Sequence, residues 1–274
     1  MEDSAVRACE FEERGFVCER GFFSRDEVAR MLGEIEGCVA KDRDDKGEGS
    51  GGASREGEMI FTTETYRRSE IVRSFIAGQR IIDFLRPIAG ADLWVRWDQA
   101  VTKMPGAGVF HWHQDNAFNK LRREHFQIWV ALTESHEQNG GIWLAPGSHR
   151  RGLLPHVRLP GQRQVRAEVG ESVCIDASAG DLIVFSSLML HRTGPNLAGS
   201  PRVAYVAEYM PLADYDYAAK APYFVVARDG RSDPHFVSQV PGNTAHNKRL
   251  YWKERALHRV GEVARRWQTA LQQR

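Results

Sequence analysis

Residues 110–115 read Phe-His-Trp-His-Gln-Asp and set an imidazole, His113, two positions before a carboxylate, Asp115. On a β-strand, residues i and i+2 point to the same side, so one strand end can offer a nitrogen and an oxygen to a single ion. Two imidazoles and one carboxylate on one face of a metal, with the other face open, form the donor set of non-haem Fe(II) oxygenases. His191 is the candidate for the second imidazole. It follows the apolar run Leu182-Ile183-Val184-Phe185 and sits just before Gly194-Pro195, where a strand gives way to a turn. Strand ends beside turns are where rigid sandwiches present functional side chains.

Arg202 strengthens this pairing. It opens the next expected strand, Arg202-Val203-Ala204-Tyr205, and an antiparallel return brings it near the metal region. A guanidinium on an otherwise apolar strand needs an anion, and its planar fork suits a carboxylate. A dicarboxylic co-substrate satisfies both ends: one chelates the metal and the other meets Arg202. Thr193, two residues after His191, can add a hydroxyl to the far carboxylate.

The elements that must position these groups are legible in outline. Ser24-x-x-Glu27 is a capping box, followed by Val28, Met31, Leu32, Ile35 and Val39 at helical spacing, which predicts a helix over about 25–40. Residues 15–17 suggest a short opening strand, 58–63 another, and 69–85 one or two helices. Strands are expected near 92–103, 108–115, 125–133, 141–145, 171–175, 181–186 and 202–210, punctuated by Gly and Pro. Many strands after a helical part predict a jelly-roll β-sandwich flanked by helices. Residues 41–57 are polar and Gly-rich and read as a surface loop, or as a lid over substrate. Residues 248–274 are basic with one apolar stripe and read as an amphipathic helix.

The chain has 274 residues, 42% apolar and 27% charged, with a formal net charge of +1. That balance steers it to neither nucleic acid nor membrane. Cys9, Cys18, Cys38 and Cys174 form no CxxC pair, and the N-terminus lacks the basic head and apolar run of a signal peptide, so a reduced, cytoplasmic protein is expected.

Taken in order, His113-Gln114-Asp115, Trp129-Val130-Ala131-Leu132, Asn139-Gly140-Gly141, Pro146-Gly147-Ser148-His149 and His191-x-Thr-Gly-Pro-Asn with Arg202 resemble the phytanoyl-CoA dioxygenase (PhyH) family of Fe(II)/2-oxoglutarate-dependent oxygenases. Asp98-Gln99-Ala100-x-x-Lys103-x-Pro105-Gly106 resembles that family's approach to the motif. The resemblance covers about residues 10–210. It implies a mainly β fold with flanking helices around a double-stranded β-helix (jelly-roll, cupin-like) core. It implies one dioxygenase domain over 1–274: a helical part at about 20–90, the jelly-roll core at about 92–210, and a C-terminal extension and helix at 211–274. It implies Fe(II) held by His113, Asp115 and His191, O2 as oxidant, and 2-oxoglutarate held by Arg202 with Thr193. Trp129 and Gln127, on one strand face, are carried over as co-substrate contacts. The implied reaction oxidises, and in the commonest outcome hydroxylates, a C–H bond of a small-molecule metabolite, with release of succinate and CO2. The carboxylate of Asp115 favours oxygenation over halogenation, which in relatives goes with a small residue at that position.

Substrate identity is not legible. Phe110, Trp112, Phe118 and Trp143 are either pocket or core residues, and Trp112, opposite to His113, is expected in the core. The arginines at 150, 151, 158, 163 and 166 admit an anionic substrate, against the plainer reading of a solvated loop. Residues 211–247 are expected as a lid or a dimer contact, and the protein as a monomer or homodimer. Three rival readings remain open at this point. A cupin-type metalloenzyme would use His111 with His113, since both share a strand face with Asp115. A non-catalytic jelly-roll binding module would have no need of the intact set. A zinc hydrolase would accept the donors but leave Arg202 without an anion.

Overall fold

A computed structural model describes residues 2–44, 53–56, 58–121, 123–253 and 256. The chain opens with helix α1 (Glu2–Arg14), strand β1 (Phe16–Glu19) and helix α2 (Arg25–Asp44). The capping box forms as expected: Ser24 N donates to Glu27 Oε2 at 2.8 Å, and Glu27 N donates back to Ser24 Oγ at 3.3 Å. Strands β2 (Ala53–Glu56) and β3 (Met59–Thr63) follow, then helices α3 (Thr65–Arg68), α4 (Glu70–Ile76) and α5 (Gln79–Ala89). Ser69 caps α4 by accepting from Val72 N. Apart from 41–44 and β2, the 41–57 stretch lies outside the described residues, and so does the C-terminal helix beyond 253 apart from residue 256.

The β-rich part begins with β4 (Leu93–Lys103), β5 (Phe110–His113), the short helix α6 (Asn116–Asn119), β6 (Phe126–Ala131) and β7 (Ile142–Leu144). It continues with β8 (His156–Leu159), β9 (Gln162–Val165), β10 (Val173–Ile175), β11 (Leu182–Ser186), β12 (His191–Thr193) and β13 (Arg202–Pro211), and ends with β14 (Tyr223–Arg228) and β15 (Arg231–Val237). A large antiparallel sheet runs β1-β11-β6-β13-β4-β14-β15, with β3 also pairing with β4 and β2 with β3. A smaller sheet runs β10-β7-β12-β5. The two face each other over Phe16, Trp129, Ile142, Leu144, Ile183 and Phe185. The other face of the large sheet packs on the helices through Ile128, Val130, Val184, Tyr205 and Ala207 against Val28, Met31, Ile76 and Leu85. Burial on both faces explains why β6 and β11 carry no outward polar alternation.

Residues 2–14, for which no element was expected, form a helix held by Phe11 in the core while Val6 stays exposed. The structure corrects three expectations. Residues 156–165 form the hairpin β8–β9 where a loop was expected. The sheet runs past residue 210, because β14 pairs with β4 and buries Tyr223 and Phe224. Asp115 does not lie on the strand: β5 ends at His113, and Asp115 takes a helical conformation at the start of α6. Among the described residues, no helix is long and apolar enough to cross a membrane.

Gly180, before β11, has φ +101°, and a Cβ there would sit 2.3 Å from the Phe23 carbonyl oxygen, while Gly21 at φ +60° has open space. Gly180→Ala therefore combines backbone strain of about 1–3 kcal/mol with a clash, whereas Gly21→Ala carries the strain alone. Thermal melts should show the larger fall in Tm for Gly180→Ala; equal falls would contradict this packing.

Candidate active site

The pairing of β5 with β12 brings His113 opposite His191 and Phe110 opposite Thr193. His111 and Trp112 on β5 thus stand opposite Arg192 alone on β12, a bulge. Its consequence is that Phe110 and His113 both line the central cavity, while His111 does not. The expectation that His111 shares the face of His113 and Asp115 fails for this reason. Among the described residues, the group of His, Cys, Asp and Glu side chains able to hold an ion is His113, Asp115 and His191, with donor atoms within 4.8 Å of one another. Asp115 Oδ1 lies 3.5 Å from both His113 Nε2 and His191 Nε2.

These donors fit a metal. His113 Nδ1 lies 2.7 Å from the His111 carbonyl oxygen, and His191 Nδ1 lies 3.0 Å from that of Met189. A carbonyl only accepts, so each Nδ1 carries the proton and each Nε2 turns a free lone pair toward Asp115. Burial pushes the His191 imidazole down to about 4. Burial alone would raise Asp115, but the facing imidazoles of His191 and His113 outweigh it and hold the carboxyl at about 2. At neutral pH the carboxylate is charged and the His191 ring neutral, the protonation state that ligation requires.

Gln114 points away from the cavity and ties the ligand loops together. Its Nε2 donates to Leu188 O at 2.6 Å and Gly152 O at 2.8 Å, and its Oε1 accepts from Leu154 N at 2.8 Å. Asn116 N donates to Ser187 O at 3.0 Å. The loop leading to His191 is therefore fastened to the residues on either side of Asp115. Arg96 holds α6 from the other side: Nη2 donates to Asn119 Oδ1 at 2.9 Å, Nε to Asp216 Oδ2 at 2.7 Å, and Nη1 to Glu208.

A cavity of about 420 Å³ opens beside the three donors. Arg202 lines it and is fully buried. Its Nη2 donates to Gly140 O at 3.1 Å, while Nε and Nη1 have no partner. The guanidinium carbon lies 5.8 Å from the centre of the Trp129 ring. Burial lowers the Arg202 pKa to about 10, still well above neutrality, so a full charge sits inside the protein. Unpaired buried cations are costly, and a carboxylate in the cavity would supply the missing acceptors. Thr193 and Trp129 line the same cavity. Gln127 does not; it pairs in register with Glu208, which does.

Several contributors were not legible. Gly140, read with Gly141 as turn chemistry, gives its carbonyl to Arg202; at φ +85°, a Cβ there would approach Gly194 O and the Lys103 side chain at 3.0 Å. Trp97 and Phe61 line the cavity without a sequence signal beyond their strands, and Gln99 lines it from the segment that resembles the family's approach to the motif. Of the aromatic candidates, Phe110 and Phe118 line it. Trp112 and Trp143 do not; they flank Arg192, whose guanidinium carbon lies 5.3 and 4.8 Å from their rings. His149 sits by the Glu12 carbonyl, outside the ion-binding group.

The family model for phytanoyl-CoA dioxygenase (PhyH) matches residues 11–204. The chain belongs to this family. It is an Fe(II)- and 2-oxoglutarate-dependent oxygenase that uses O2. It is 25% identical over 251 residues to an ectoine dioxygenase of Streptomyces avermitilis, covering 80% of this chain and 84% of the relative. A probable alpha-ketoglutarate-dependent hypophosphite dioxygenase of Stutzerimonas stutzeri is 25% identical over 209 residues, covering 68% and 71%. Among solved structures, the non-heme monooxygenase ThoJ superposes with a TM-score of 0.71 at 19% identity, covering 94% of this chain and 99% of that one. The epimerase SnoN, solved with Fe3+ and alpha-ketoglutarate, gives 0.66 at 19% identity, covering 86% and 98%. These likenesses bear out the jelly-roll core.

The site predicts a clear separation between neighbouring histidines. Loss of the His191 imidazole should weaken iron binding by more than the 10- to 100-fold typical of losing a ligand's hydrogen-bond partner. His111→Ala keeps the backbone carbonyl that orients His113 and should retain iron. Metal content after dialysis checks both; equal loss in the two variants would favour the cupin-type arrangement.

Proposed function

We propose that the protein hydroxylates a C–H bond of a small-molecule metabolite, with His113, Asp115 and His191 as the iron ligands. The observation that carries this reading is the buried, half-unpaired Arg202 facing the same cavity as the three donors. When bound, iron and 2-oxoglutarate supply the oxidising power, releasing succinate and CO2. The chain's part is positioning. Arg202 takes the distal carboxylate through Nε and Nη1, and Thr193 adds its hydroxyl. Trp129 forms the wall under the guanidinium, which favours a planar fork over a lysine there. Gln127 acts behind this wall, beside Glu208, rather than on the co-substrate.

The remaining cavity wall is mainly aromatic and apolar, with Met59, Phe61, Trp97, Phe110 and Phe118, and also carries Thr63, Gln99, Asn119 and Glu208. A volume of about 420 Å³ is near the low end for ligand sites and must hold both co-substrate and the reacting group. The described lining cations are Arg96 and Arg202. Arg96 is already held by Glu208 and Asp216. This supports an uncharged or cationic substrate over the anionic one that the arginines of 150–166 suggested. Two of those donate to backbone carbonyls instead, Arg150 to Glu12 and Arg151 to Glu168.

The pairing of β14 with β4 supports one catalytic domain. Four free thiols support a cytoplasmic protein.

Anaerobic addition of Fe(II) and 2-oxoglutarate should give the weak visible band of the chelate, and aerobic turnover should release succinate. Arg202→Ala should weaken 2-oxoglutarate binding by about 2–5 kcal/mol, or at least about 30-fold. Folded, iron-loaded protein that gives no band would remove 2-oxoglutarate from the reading.

A further inference from the structure

Arg202 and Glu208 lie six residues apart on β13, and both line the cavity, with Val206 between them. At about 3.3 Å per residue their backbones are about 20 Å apart, so the cavity has a cation toward one end and a carboxylate toward the other. The proposed co-substrate contacts leave Glu208 unused. Its side chain is buried, and Arg96 Nη1 donates to its Oε2, with His125 Nε2 lying 3.6 Å from that same oxygen. Oε1 has no charged partner among the described residues. Arg96 also donates to Asp216, which does not line the cavity and whose other oxygen accepts from Ala218 N at 2.8 Å. One guanidinium thus stands between two carboxylates, and this group keeps one net negative charge. His125 does not offset it: burial holds its imidazole down at about 3, so the ring is neutral.

Aromatic rings accompany this carboxylate. Trp97 is the direct strand partner of Glu208, so its ring and the carboxylate leave the same face of the large sheet, and both line the cavity. Phe110 and Phe118 each contact the His113 ring, with centroids 4.8 and 5.7 Å from it, and Phe61 lies 6.1 Å from Phe110. Ring faces attract a cation, and a carboxylate withdrawn from water attracts one more strongly than it would in water. An anion at this end would meet Glu208, and an uncharged group would leave the net charge without a partner.

We infer that the substrate is a small organic cation, an amine or quaternary ammonium compound, whose positive nitrogen is held by Glu208 Oε1 and by the rings of Trp97 and Phe118. This deepens the proposed function and rests on it. Glu208 selects the substrate by charge. Arg96 is a positioning residue, since its hold on Oε2 keeps the carboxylate from turning away. With the nitrogen at this end, the carbon skeleton extends toward His113, where Phe110 and Phe118 adjoin the metal donors.

The test uses the anaerobic protein loaded with Fe(II) and 2-oxoglutarate, with the chelate band confirmed first. Burial pushes the Glu208 carboxyl up against the pull of Arg96, so a pH of about 8 is used, well above the ordinary carboxyl range. Choline is compared with its uncharged carbon isostere 3,3-dimethylbutan-1-ol and with the anion 3,3-dimethylbutanoate, and butylammonium with butan-1-ol. Broadening of each ligand's methyl proton signals by the iron reports its affinity. At least one cation should bind about 10- to 100-fold more tightly than its uncharged counterpart, the range for a charged hydrogen bond, and the anion should bind most weakly. Glu208→Gln should bring that cation down to the level of the alcohol. Phe118→Leu, at a position 40% exposed, should weaken the cation about 2- to 5-fold, the range of an exposed cation–π contact, and affect the alcohol less. If Glu208→Gln does not fold, the wild-type comparison and Phe118→Leu still decide. Equal affinities, tighter binding of an alcohol or the anion, no binding of either cation, or an unchanged preference in Glu208→Gln overturns the cationic substrate alone. Absence of the chelate band from folded, iron-loaded protein overturns the reading of the site itself.

Discussion

Arg202 carries a full positive charge into the interior with two of its nitrogens unpaired, and much of the site is built to tolerate it. An uncompensated buried charge costs on the order of several kcal/mol, so the surroundings must offset what they can. The Gly140 carbonyl meets Nη2, which requires a loop that passes close to both β13 and Lys103, and a glycine at φ +85° allows that approach. Trp129 offers its ring face to the guanidinium. What the protein leaves without a partner is Nε and Nη1. The site is thereby pre-organised, since the donors are in place before any anion arrives and little ordering remains to oppose binding.

The metal end relies on a different device. Its three donors come from a strand end, a helix start and a neighbouring short strand, none rigid alone. Gln114 fastens the segment before His191 to the residues around Asp115, and Arg96 fastens α6 to β4, β13 and Asp216. The large sheet is buried on both faces and supplies the stiff floor against which these clamps act. β12 carries His191 and Thr193 two residues apart, and both line the cavity. In the proposed reading their spacing sets the distance the co-substrate must span.

The order of motifs in the sequence singled out His113, Asp115, His191, Arg202 and Thr193, which the fold brings to one cavity, because each is a chemically distinctive residue beside a turn signal. It was insufficient where the physics is not local. The bulge in β5 arises from pairing with β12, so nothing within residues 110–115 shows that His111 leaves the cavity face. The burial of Lys103 and Arg96 was not legible, since buried cations are rare and only the folded sheet shows them enclosed. Helix α1 was missed because it buries little beyond Phe11, and the β8–β9 hairpin because its arginines read as a solvated loop. The strands after residue 211 lay beyond the motif series, although Tyr223 to Val226 carry the apolar run of a buried strand.

The central claim is that three donors and one buried guanidinium divide 2-oxoglutarate between them. The most direct measurement is a crystal structure of the anaerobic complex with Fe(II) and 2-oxoglutarate. It should show the ion within about 2.2 Å of His113 Nε2, His191 Nε2 and an Asp115 oxygen, in the usual range for nitrogen and oxygen ligands. The distal carboxylate should lie within hydrogen-bonding distance, about 3 Å, of Arg202 and Thr193 Oγ1. A co-substrate bound with its distal carboxylate away from Arg202, or an ion held by His111, would contradict the account.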